Sequence, residues 1–257
     1  MKKKRPNAQN GTGIKDDAII RSERRKGILL VICVLAATAI VSEIIFLGAY
    51  AIHPIAGFVV EAIMTYQILA ARCLQKESTK VYTALKKNDL LGARYAVSMI
   101  VGRDTNVLDE AGVARAAVET VAESTSDGVI APMLYTALGG PVLGMIYKAV
   151  NTMDSMVGYK TAKYRKIGFV SAKMDDLVNL IPARFTWFFM LASARILQLD
   201  FRNAIKIGWR DRYQHASPNS AFPESVVAGA LGIQLGGAHV YHGELISKQP
   251  LETQLGM

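Results

Sequence analysis

Two runs near the start of the chain decide what it can fold into. From Gly27 to Gly48 the only charged residue is Glu43, and from Ala51 to Ala71 the acidic charge is Glu61 alone, with His53-Pro54 marking a tight turn between them. Each run is close to the ~20 apolar residues that carry a helix across a bilayer. Backbone polar groups find no water in hydrocarbon and must be bonded within the segment, so both runs are read as membrane helices.

Composition extends that reading to the whole chain. The 257 residues are 51% hydrophobic, with a mean hydropathy of +0.22, which suits one polytopic membrane domain better than two soluble ones. The net charge of +9 comes largely from basic residues where polar segments meet apolar ones, interspersed with acidic residues, so it is assigned to membrane orientation and not to nucleic acid. Cys33 and Cys73 lie in apolar stretches with no Cys or His at metal-ligand spacing, so they are expected to be buried thiols.

The chain organises around these spans. Residues 1–26 have no apolar period and are expected to form a mobile, basic cytoplasmic tail. Lys2-Lys3-Lys4-Arg5, Arg24-Arg25-Lys26 and Ala37-Thr38-Ala39 mimic a signal peptide. The long polar leader and the apolar character resuming after Glu43 favour an uncleaved anchor. The expected class is all-α: a single polytopic helical bundle over 27–245, with candidate spans 27–48, 51–71, 129–150, 181–199 and 222–240, and a short tail over 246–257.

The polar region 72–128 reads as several short helices. The span 129–150 is broken by Gly139-Gly140-Pro141, which interrupts a helical hydrogen-bond ladder. Lys160, Lys163, Arg165, Lys166 and Lys173 favour placing 151–180 on the cytoplasmic side with 72–128, so the broken segment is expected to be re-entrant, its polar flanks facing the cytoplasm. The segment 222–240, rich in Gly and Ala, suits tight helix packing more than lipid exposure.

Polar side chains at the edge of hydrocarbon cost several kcal/mol unless paired, which makes four clusters candidate sites. In the first, Arg115, Glu119 and Glu123 share a helical face, with Asp127 a turn further on and a possible turn and cap at Gly102-Arg103-Asp104-Thr105; a solvated salt-bridge face is the plainer reading. In the second, Lys148, Asn151, Asp154 and Ser155 extend an apolar segment and offer a carboxylate, an amide, a hydroxyl and an ammonium, a set suited to a Mg²⁺-phosphate group. In the third, Asp175-Asp176 with Asn179 need a cation, a metal or exposure to water. The fourth, His215 to Glu224, is turn chemistry with a helix entry at Pro223. No P-loop, G-x-S-x-G, H-E-x-x-H or C-x-x-C pattern occurs.

The strings VGRDT (Val101 to Thr105), AESTSDGVIAP (Ala122 to Pro132), YKAVNTMDSMVGY (Tyr147 to Tyr159), DDLVNLIPAR (Asp175 to Arg184) and SPNSAFPE (Ser217 to Glu224), in that order and spacing, resemble the CobD/CbiB family of cobalamin biosynthesis. The resemblance covers residues 85–245. It implies a membrane-bound adenosylcobinamide-phosphate synthase, a carbon-nitrogen ligase joining aminopropanol or its phosphate to a carboxylate of adenosylcobyric acid, driven by ATP and Mg²⁺.

On that resemblance, Glu123 is the candidate base and Glu123, Asp127 and Asp154 the catalytic set. Mg²⁺-ATP or the substrate phosphate would lie among Asp104, Asp127, Asp154, Asp175 and Asp176, the metal falling to Asp154, Asp175 and Asp176. Arg103, Lys148 and Arg184 would offset negative charge. Asn151, Ser155, Asn179 and Asn219 would orient corrinoid amides, and Thr105, Tyr159 and Glu224 complete the substrate-binding set. These residues are expected to form one shared site on the cytoplasmic side of the cell membrane, with other corrinoid-pathway enzymes as possible partners. The rival readings are a non-catalytic corrinoid-binding or transport-associated membrane component and an anchoring scaffold. Relative to the family pattern an additional N-terminal apolar segment and a C-terminal helix are not found, so a shortened member is expected.

Overall fold

The computed structural model describes residues 10–158, 167–215, 217–241 and 244–247. Helix α1 runs Asn10–Ile52, so positions 10–26, expected as an aperiodic tail, are helical. After His53, whose Nδ1 accepts from Ile55 N at 3.1 Å, α2 spans Pro54–Ile68. The polar region holds α3 (Ala71–Lys86), α4 (Leu90–Ser98) and α5 (Glu110–Thr125), and a π-helical turn, Ser126–Ile130, leads into α6 (Ala131–Val157). Then follow α7 (Phe169–Val178), α8 (Leu180–Ile196), α9 (Phe201–Arg210) and α10 (Ala221–Leu231). A small antiparallel hairpin, β1 (Ala238–Tyr241) and β2 (Glu244–Ser247), pairs Ala238 with Ser247, so the short tail expected from 246 begins inside a strand.

The all-α membrane reading holds. Among the described residues Arg21–Ile52, Pro54–Lys86 and Glu110–Val157 are long and apolar enough to cross a membrane, and α7 with α8, bent by 48°, forms a fourth candidate. The expected span 222–240 does not form: α10 ends at Gly232, where φ is 65°, and its 11 residues reach only about half the ~30 Å core at 1.5 Å per residue. Its Gly and Ala positions are packed inside, with Ala221, Ala228, Gly229 and Ala230 all buried, as tight helix packing requires. Cys33 and Cys73 are exposed, contrary to expectation. Apolar surroundings in sequence do not settle which side of a helix faces its neighbours.

The break in α6 is a reversal of the chain. Gly139 and Gly140 leave helical geometry, and Gly140 takes φ 67°, ψ −171°, a conformation open to glycine alone at little cost. A Cβ added at Gly144 would collide with Thr136 Oγ1 and lie 2.8 Å from Ile68 Cδ1. On a straight helix positions 136 and 144 stand ~12 Å apart along the axis, so the chain has folded back as a hairpin.

The chain forms two compact units, 1–60 with 145–177, and 61–144 with 178–257. In the first, Arg24 Cζ stands 4.7 Å from the Phe169 ring centroid, which brings the start of α7 to the basic end of α1. The polar stretch around Asp175 therefore belongs to the same end as Arg24-Arg25-Lys26. In the second, Val81, Ala93, Val97, Val113 and Ala116 join α3, α4 and α5 in one core, and Leu191, Ala194, Ala204, Val226 and Ala230 join α8, α9 and α10 in another. Side chains start three of the helices: Asp89 accepts from Gly92 N, Asp109 from Gly112 N and Asp200 from Asn203 N. The cap of α5 is thus Asp109 and not the Asp104-Thr105 pair, which lies in the preceding turn.

Candidate functional site

In the second unit, α5 turns its acidic face inward. Glu119 is 8% exposed; its Oε2 lies 2.6 Å from Arg103 Nη2 and its Oε1 accepts from Gly236 N at 2.7 Å. One turn later Glu123 Oε1 accepts from Ser220 Oγ at 2.7 Å. The spacing of Arg115, Glu119 and Glu123 suggested a solvated salt-bridge face. The structure instead ties Glu119 and Glu123 to residues far away in the chain. A buried carboxylate needs such partners, because removing one from a buried pair costs ~3–5 kcal/mol.

The loop before α10 is organised around the same region. His215 Nδ1 accepts from Ser217 N at 3.0 Å, and Ser217 Oγ accepts from Asn219 N at 3.3 Å. Asn219 Oδ1 accepts from Arg184 Nη1 at 2.9 Å, while the same nitrogen donates to Leu180 O at 2.8 Å. Arg184 also lies over the Phe222 ring, 4.2 Å from its centroid. Asn179, Asn219 and Glu224 are buried, as is Thr105. Helix α10 begins at Ala221, two residues before the expected entry at Pro223.

The π-helical turn lies between Glu123 and the hairpin. It includes Asp127 and places Gly128 O to accept from Ala70 N at 2.8 Å, at the break between α2 and α3. Such turns are rare and concentrate at functional sites. Ser126 Oγ, 2% exposed, has no hydrogen-bond partner among the described residues. A buried hydroxyl left without a partner costs ~1–3 kcal/mol, which a ligand would relieve.

The first unit carries the remaining candidates. Asn151 Nδ2 approaches Asp175 Oδ1 at 3.5 Å, Ser155 Oγ donates to Asn151 O at 2.9 Å, and Lys173 Nζ lies 3.0 Å from Asp176 Oδ2. Asp154 is half-buried near the end of α6, and a side chain at Gly158 would run into its carboxylate. Ser171, one helical turn before Asp175, is fully buried with no hydrogen-bond partner for its Oγ among the described residues. Lys148 is half-buried on α6, and Tyr159 lies outside the described residues.

Mg²⁺ was expected at Asp154, Asp175 and Asp176. Successive helical residues diverge by ~100°, and here Asp175 is buried while Asp176 reaches the surface beside Lys173. Among the described residues no three carboxylates, histidines or cysteines gather into a metal cage. The donors present do not fit a metal held by protein alone. One or two of these carboxylates suit an ion whose remaining ligands come from elsewhere.

Arg103, Glu123, Arg184, Asn219 and their partners are thus brought together within one unit, and Asn151 with Asp175 within the other. Sequence reasoning missed Glu119 as a buried latch, Ser220 as the partner of Glu123, and the orphaned Ser126 and Ser171. It also missed Asp211, which is fully buried and binds Arg210 through both oxygens at 2.6 and 2.7 Å. Ser171 was within reach, since its i,i+4 spacing to Asp175 puts both on one face. Nothing local marks the others.

No solved structure matches the chain. It is 63% identical over 196 residues to the cobalamin biosynthesis protein CobD of Streptococcus sanguinis, covering 76% of this chain and 62% of that protein. The CobD of Photorhabdus laumondii is 54% identical over 77% of this chain and 62% of its own length. The CobD of Listeria monocytogenes strain EGD-e is 52% identical over 86% and 70%. The chain therefore spans less than two thirds of the first of these relatives. The profile of the CobD/Cbib protein family matches residues 7–256, and by that match the chain belongs to the CobD/Cbib family.

Proposed function

We propose that the chain works in cobalamin biosynthesis as an amide-forming ligase of the cytoplasmic membrane, joining aminopropanol or its phosphate to a carboxylate of adenosylcobyric acid. The observation that carries this reading is convergence. Strings starting near Val101, Ala122, Asp175 and Ser217 contribute Arg103, Glu123, Arg184 and Asn219 to one hydrogen-bonded region of a single unit.

Mg²⁺-ATP, when bound, supplies the phosphoryl group that makes the carboxylate electrophilic. The chain's own residues handle the rest. As the amine nitrogen forms the new C–N bond, the acyl C–O bond to the activating phosphate breaks and inorganic phosphate leaves; Glu123 takes the proton lost by the amine, and Ser220, donating to its Oε1, orients the carboxylate. Arg184, held by Leu180 O, Asn219 and the Phe222 face, offsets phosphate charge with a guanidinium whose direction is fixed. Asn179, buried in the same unit, binds an amide on the corrinoid rim.

The test is direct. Purified protein in vesicles receives adenosylcobyric acid, aminopropanol phosphate and Mg²⁺-ATP, and amide product is followed by mass spectrometry. Product that disappears in Glu123→Gln, with folding and insertion intact, is the expected result. Corrinoid binding without any amide would give the protein to the non-catalytic reading.

A further inference from the structure

We propose a second binding site, separate from the polar one: a groove of about 460 Å³ between α3, α5, α8 and α10 that holds an acyl chain of an anionic phospholipid from the surrounding bilayer. Its volume falls within the ~300–1,000 Å³ of small-molecule sites. On α5 the groove is lined by Ala114, Ala117, Val121 and Thr125. At 100° per residue this face is turned by roughly 175° from the direction of Glu119 and Glu123. The groove is therefore not an extension of the polar site.

The walls select an apolar occupant. Val81, Leu85, Met190 and Leu231 supply hydrocarbon, and the hydroxyls that reach the groove are already bound to the backbone. Ser78 Oγ and Thr79 Oγ1 both donate to Gln75 O, at 3.1 and 2.7 Å, and Thr125 Oγ1 donates to Val121 O at 2.7 Å. A phosphate or an amide-rimmed corrinoid placed here would leave its polar groups unpaired.

Position and charge select a phospholipid. Met190 sits on α8, half of the bent pair apolar enough to cross a membrane, so acyl chains are at hand. On the α3 side Tyr82 lines the groove at 62% exposure, and Lys86 Nζ stands 5.9 Å from its ring centroid. Helix α3 also carries Arg72, Lys76 and Lys80 against a single acid, Glu77. An apolar trough with a cation at its rim matches an anionic headgroup above a hydrocarbon tail.

The full chain is placed in phosphatidylcholine vesicles doped with phosphatidylglycerol that carries a diazirine within one acyl chain, irradiated, and the labelled peptides are identified by mass spectrometry. Labelling of α3, α5 and α10 groove residues is expected. Ala117→Trp fills the trough and lowers that labelling by roughly tenfold, the worth of about two buried methylenes, while labelling of lipid-facing α1 stays constant and reports intact insertion. Lys86→Ala, on an exposed side chain, lowers the preference for phosphatidylglycerol over a phosphatidylcholine probe by about fivefold. Groove labelling that is absent in the wild type, or undiminished in a folded Ala117→Trp protein, overturns the proposal. So does equal labelling by both probes in wild type and Lys86→Ala.

Discussion

The acids of α5 and those of α6 and α7 receive opposite treatment from the fold. Glu119 and Glu123 are fastened by Arg103, Gly236 and Ser220, residues as distant as 117 positions. Asp175 is approached by Asn151 at 3.5 Å, and Asp176 forms a surface ion pair with Lys173 three residues away. Carboxylates with short, buried, long-range bonds hold structure first and do chemistry only where a proton must be placed. A solvent-screened pair such as Lys173–Asp176 can be rearranged at little cost to the fold.

Breaking the latch is the harshest test of that contrast. Glu119→Ala leaves Arg103 buried without its carboxylate and is expected to lower stability by ~3–5 kcal/mol, read as loss of folded protein in detergent. Adding Arg103→Ala should restore part of the loss. Glu123→Gln keeps an acceptor for Ser220 but cannot take a proton. It should leave the melting temperature nearly unchanged while amide formation falls by ~10²–10⁴-fold. If that variant unfolds as Glu119→Ala does, Glu123 belongs with the latch and not with the chemistry.

The hairpin supplies an intermediate effect. Gly140→Ala forces a side chain into positive φ with extended ψ, a region essentially reserved for glycine, and should cost ~1–3 kcal/mol, measured as a shift of the denaturation midpoint. The mildest change is Lys173→Ala, which removes an exposed ion pair worth ~0.2–1 kcal/mol. An effect on stability much larger than that would place Asp176 among the fastened carboxylates.

Much of the fold was legible because hydrocarbon imposes a simple rule. The charge-poor runs from Gly27 and Ala51 became α1 and α2, and Gly139-Gly140-Pro141 became a reversal, since neither outcome depends on a distant partner. The segment 222–240 misled because Gly and Ala keep hydropathy high whether they face lipid or a neighbouring helix. Helix α10 packs nearly all round and stops at Gly232. Asp109 took the capping role because a cap is decided by where the backbone enters the helix, not by which polar residue precedes it.

The sequence by itself determined the membrane character, the hairpin and the strings that carry the polar residues, all local properties of charge, apolar length and backbone freedom. Only the tertiary structure decided that Glu119 is a latch, that Ser220 serves Glu123, that Asp175 and Asp176 part ways, and that an apolar groove lies on the other face of α5. Each of those outcomes depends on which side of a helix meets a segment far along the chain. Periodicity names the sides of a helix, but packing alone chooses what each side meets.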